Sequence, residues 1–96
     1  MKPEAWSDKQ YIRAIRGLDH ERDAALRHWF SDLSMRKQVG AYVMRHQGNA
    51  QDAEDVYAES LIIFDRLIRN GKFEERASLR TFFLRIARWQ WVTMRR

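Results

Sequence analysis

Apolar residues recur along this chain at intervals of three and four, and no alternation at intervals of two persists. Tyr11, Ile12 and Ile15 make the first stripe, which Ser7 or Asp8 can cap and Gly17 can end. A second helix is predicted from Asp19, where Leu26, Trp29, Phe30 and Leu33 follow the i, i+3, i+4, i+7 rule. The pattern falters over 31–34, which predicts a break or a kink. Met35, Val39, Tyr42 and Val43 resume it as far as Gly48, where "QGN" is a stop signal. A third helix is expected over roughly 51–70, with Gly71 as its stop. Its first turns hold Asp52, Glu54 and Asp55, where the helix dipole favours carboxylates. After the polar loop "KFEERA", Ser78 can cap a last helix that runs to the end of the chain. No strand is expected. With short connections throughout, the pattern predicts an all-α fold: a compact bundle of about four helices.

Composition narrows the class. The 96 residues suit one domain, with a modest core and little room for a deep cofactor cavity. No cofactor is expected. The absence of cysteine excludes disulfides and thiolate metal sites. The N-terminal "MKPEAWSDKQ" lacks the apolar run of a signal peptide, and "LIIF" is far too short to span a bilayer. A cytoplasmic protein without membrane insertion is the expectation. The formal net charge of +5 raises the weight of a polyanionic partner. Charge is also segregated. Residues 52–65 carry five acids and no base, and residues 76–96 carry six arginines and no acid. Two surfaces with different partners would produce such a division.

Projected at about 100° per residue, the third helix has a broad core face that includes Val56, Tyr57, Ser60, Phe64 and Ile68. Asp55, Glu59, Ile62 and Arg66 form one continuous stripe on the opposite side. Ile62 is the odd member. It is either a stray apolar residue on a solvated face or the anchor of a docking stripe. The last helix, "RTFFLRIARWQWVTMRR", divides differently. Leu79, Phe82, Phe83, Ile86, Ala87 and Met94 cover its core side, and Arg80, Arg85, Arg88, Arg95 and Arg96 spread over the other. Leu84, Trp91 and Val92 fall among the arginines, and Trp89 lies at the border. Arginines pair with phosphates and flat rings stack on unpaired bases, so the mixture suits single-stranded nucleic acid. The same mixture also suits a basic solvated face whose tryptophans pack on a neighbouring helix.

Enzymatic readings find little support. Asp52, Glu54, Asp55 and Glu59 could offer oxygens to a divalent cation, but acids at a helix start are ordinarily caps and dipole partners. His20, His28 and His46 stand at no ligand spacing, and no glycine-rich phosphate loop is present. Neither a metal site nor a catalytic activity is expected.

The segment "DAEDVYAESLIIFDRL", followed by "F…SLRTFFLRIAR", resembles region 2 of bacterial RNA polymerase sigma factors. Within that family the extracytoplasmic-function type is the most similar, and the likeness runs from about Leu26 to Arg96. The resemblance implies a single region 2 domain over 1–96, without the region 4 helix-turn-helix that family members normally carry. It also implies that the acidic helix binds a coiled coil in the largest subunit of core RNA polymerase. Asp55 and Glu59 match the acidic motif positions, and Ile62 and Arg66 continue their stripe. The last helix and the loop before it would capture flipped-out bases of the non-template strand at the minus-ten promoter element. Thr81, Phe82, Phe83, Leu84 and Arg85 align with the threonine–aromatic–aromatic–aliphatic–arginine run of housekeeping members, and residues 72–77 with the base-capturing loop. The implied DNA contacts are Phe73, Ser78, Arg80, Thr81, Phe82, Arg85, Arg88, Trp89, Trp91 and Arg95. An anti-sigma factor covers the same faces in the family, so a helical interaction module that never touches DNA is the rival reading. The chain departs from the family at Ala58, where glutamine is usual, at Trp89, where asparagine is common, and at Thr93, where the family has aspartate.

Overall fold

The computed structural model describes residues 5–95 and contains five helices. These are α1 (Asp8–Ile15), α2 (Asp19–Phe30), α3 (Leu33–Arg45), α4 (Ala50–Arg69) and α5 (Leu79–Met94). The described residues include no strand, so the protein is all-α. The helix count exceeds the expected four because the irregularity at 31–34 is a complete break. The Ser31 hydroxyl donates to the His28 carbonyl at 2.8 Å, which helps close α2. Asp32 then takes an extended conformation, and its carboxylate accepts the Met35 N–H at 3.1 Å. That bond satisfies an orphan amide at the start of a new helix, so α3 begins instead of α2 continuing.

The other helix ends follow the same logic. Ser7 and Gln10 form a reciprocal capping box on α1, and Asn49 and Asp52 form one on α4. Ser78 accepts the Thr81 N–H at 3.1 Å and caps α5. Asp8, one of two candidate caps for α1, serves elsewhere. Its carboxylate accepts the Leu79 N–H at 3.0 Å, so a residue of α1 fixes the first turn of α5. At the far end of α4, Gly71 takes φ +69, and the Lys72 N–H reaches back to the Leu67 carbonyl at 2.9 Å. This left-handed turn favours glycine and directs the chain into the 72–77 loop.

Helices α3, α4 and α5 each pack against the other two, and α1 and α2 close the bundle against α4. Aromatic rings dominate the centre. Trp29 stacks on Phe64 at 4.6 Å, Phe83 meets Phe64 edge-on at 5.3 Å, and Tyr57 meets Phe83 edge-on at 5.3 Å. The Tyr57 hydroxyl donates to the Trp29 carbonyl at 2.9 Å. Asp65 is buried on α4, between Arg22 of α2 at 3.2 Å and Arg69 at 3.1 Å. A buried carboxylate is tolerable only when paired in this way. Among the described residues, no helix is long and apolar enough to cross a membrane.

Candidate functional site

The outward stripe of α4 is present as a surface. Asp55, Glu59, Ile62 and Arg66 are all exposed, and Ile62 remains 52% accessible. The spacing explains this, since the opposite side of α4 buries Val56, Tyr57, Ser60, Phe64 and Ile68. Asp55 accepts a hydrogen bond from Gln51 at 3.0 Å on its own helix. The ion pairs among the described residues involve neither Asp55 nor Glu59. The stripe therefore offers two carboxylates without an ion-pair partner among the described residues, beside an apolar side chain. Asp52 is not part of it, because its carboxylate is spent on the Asn49 N–H. No group of three His, Asp or Glu side chains suited to a metal ion occurs among the described residues.

The residues expected at a nucleic-acid surface divide into three groups. The first is anchored in the bundle. Trp91 is buried, contrary to its expected place among the exposed arginines: its ring lies against Gly48, and its indole N–H donates to the His46 carbonyl at 3.2 Å. Phe73 of the loop is also buried, with its ring 4.7 Å from that of Phe82.

The second group is held by partners. The Arg80 guanidinium binds Asp32 at 3.0 Å and the Ser34 hydroxyl at 3.1 Å. Burial opposes ionisation of Asp32, but the Met35 N–H and the Arg80 guanidinium outweigh it and hold its carboxyl below the usual range. Ser78 is committed to its cap, and Phe82 is half-buried between Phe64 and Phe73.

The third group faces solvent: Thr81, Arg85, Arg88, Trp89 and Arg95, with Trp89 61% accessible. Arg96 lies outside the described residues. Met94, expected in the core, is exposed.

A cleft of about 330 Å³ separates the 72–77 loop from α5. Lys72, Phe73, Glu74, Arg76 and Ala77 line it from the loop, where Arg76 pairs with Glu74 at 3.4 Å, and Phe82 and Arg85 line it from the helix. Trp89 follows Phe82 by seven residues and Arg85 by four, which places the three on one side of α5. A ring-walled cleft flanked by guanidinium groups, continued by an exposed indole, can hold a flat base and the phosphates beside it. Pattern reasoning missed a second groove, between α3 and α5, lined by Tyr42, Arg45, Leu84 and Arg88. Nothing local in the sequence announces it, since it exists only once α3 packs on α5.

No curated protein and no solved structure matches the chain. The family model Sigma-70 region 2 matches residues 33–96, a span that takes in α3, α4, the 72–77 loop and α5. The acidic stripe and the loop–helix cleft both lie inside it. The chain belongs to the sigma-70 family and carries its region 2 domain.

Proposed function

We propose that this chain is the region 2 module of an extracytoplasmic-function sigma factor, acting in the cytoplasm as a non-catalytic transcription initiation factor. Asp55, Glu59, Ile62 and Arg66 dock on the coiled coil of the largest polymerase subunit, with Ile62 as the apolar anchor and the charges as flanks. The minus-ten element of the non-template strand then runs through the cleft between the 72–77 loop and α5. One base enters between Phe82 and the loop, Arg85 takes a neighbouring phosphate, Arg76 exchanges its Glu74 partner for another, and Trp89 stacks on a further base. Trp89 replaces the asparagine common in the family, so its base contact is particular to this chain.

The observation that carries the reading is the cleft itself: rings on its walls, Arg76 and Arg85 at its mouth, and Trp89 exposed on the same side of α5. Trp29 and Trp91 are buried and Trp6 is half-buried against His28, so Trp89, the most exposed of the four tryptophans, is well placed to report a bound strand. Titration of single-stranded promoter DNA into the complex with core polymerase should change the tryptophan fluorescence in a sequence-dependent way. Trp89→Ala should remove most of that change and weaken binding by about tenfold, as loss of one stacked base implies. A fluorescence signal indifferent to DNA sequence would contradict the reading and favour a module that binds protein alone.

A further inference from the structure

The seam between α3 and α5 carries a second cluster of cations. Arg80, Leu84, Arg88, Trp91 and Arg95 recur at three and four positions and form one row along α5. Contacts show that this row faces α3. Arg80 bonds Ser34, Arg88 and Leu84 share a groove of about 210 Å³ with Tyr42 and Arg45, and Arg95 donates to the side-chain amide oxygen of Gln47, just past the end of α3, at 3.2 Å. Asp32 is committed to Arg80 at one end of the seam. Arg45, Arg88 and Arg95 take part in no ion pair among the described residues.

Like charges gathered on one seam repel each other, and an anion relieves that repulsion. Two of the cations are also held in place. The Arg88 guanidinium lies 5.6 Å from the centre of the Tyr42 ring, and that of Arg95 lies 5.8 Å from the Trp91 ring. From Arg80 to Arg95 the row runs about 20 Å along the helix, which suits a chain of phosphates better than one small anion. Because α3, α4 and α5 each touch the other two, the seam lies away from the outward stripe of α4. A protein bound to that stripe leaves the seam open.

We infer that the α3–α5 seam is a phosphate track for DNA, with Arg45, Arg88 and Arg95 as its contacts, separate from the base-facing side formed by Phe82, Arg85 and Trp89. The inference rests on the DNA-binding reading above. Contacts of this kind fix the register of the strand and carry no sequence information.

The test uses Arg45→Ala in the full chain bound to core polymerase. Affinity is measured over a series of salt concentrations, for promoter DNA and for a scrambled sequence. Arg45 is exposed, so a thermal melt should show the fold unchanged. The expected result is weaker binding to both sequences by the same factor, with a log–log salt slope shallower by about 0.9, and recovery of the slope in Arg45→Lys. Trp89→Ala, by contrast, should narrow the gap between the two sequences. If Arg45→Ala leaves slope and affinity unchanged while Trp89→Ala weakens promoter binding, the track is wrong and the DNA reading stands. If Arg45→Ala weakens promoter DNA alone, the seam reads bases and the inference is overturned. If neither variant changes binding, both readings fail.

Discussion

Gly48 has no side chain because two others occupy the space. A Cβ placed there would lie 2.4 Å from Val43 Cγ1 and 2.9 Å from the Trp91 ring. Both neighbours are buried and cannot swing aside. Gly48→Ala should therefore destabilise the domain by about 1–3 kcal/mol, the usual cost of overpacking, and a urea unfolding curve will measure it. The preceding Gln47 takes the left-handed turn instead, with φ 72, and its side chain meets Arg95. A stop signal at "QGN" was legible in the sequence. The reason for it was not, since Trp91 lies far along the chain on another helix. The same gap misplaced Trp91 itself: a projection puts it among the arginines, and only the proximity of α3 turns that flank of α5 inward.

Helix ends show where local pattern suffices and where it fails. Ser7, Asn49 and Ser78 cap the helices that follow them, and such caps are readable one turn at a time. Asp8 and Asp32 reach further. Asp8 caps α5 from α1, and Asp32 both starts α3 and holds Arg80 of α5. No rule about neighbouring residues finds bonds of that span. Asp32 has a testable consequence in acid. Its folded pKa lies below the unfolded value, so its contribution to stability is complete above the unfolded pKa and is lost as pH falls through the folded one. Stability should decline below about pH 4, where carboxylates begin to protonate. Asn at this position can still cap α3 but cannot pair with Arg80 as an anion. Asp32→Asn should be less stable than the wild type at neutral pH, with the difference shrinking as pH drops. Melting curves across pH 2–7 would check this, and a constant difference would contradict it.

Across the whole molecule the opposed charges are divided between faces. The acidic stripe on α4 points away from the seam where α3 meets α5, and the loop–helix cleft opens beside α5. The stripe was fully legible, because an unbroken helix projects its residues regularly and Asp55, Glu59, Ile62 and Arg66 have no neighbour to bury them. The cleft was legible in part. Phe82 and Arg85 line it and Trp89 is exposed further along α5, as their types suggest, while Phe73 is buried at its wall. Long-range packing decides such matters, and the pattern of one helix does not contain it. On the proposed reading, the division of faces would let one domain hold a protein and a nucleic acid together. That claim is tested most directly by measuring the affinity of Asp55→Arg and Glu59→Arg for core RNA polymerase alongside a thermal melt of each variant. Both positions are exposed, so the melts should match the wild type while polymerase binding is lost. Unchanged polymerase affinity in either variant would contradict the account.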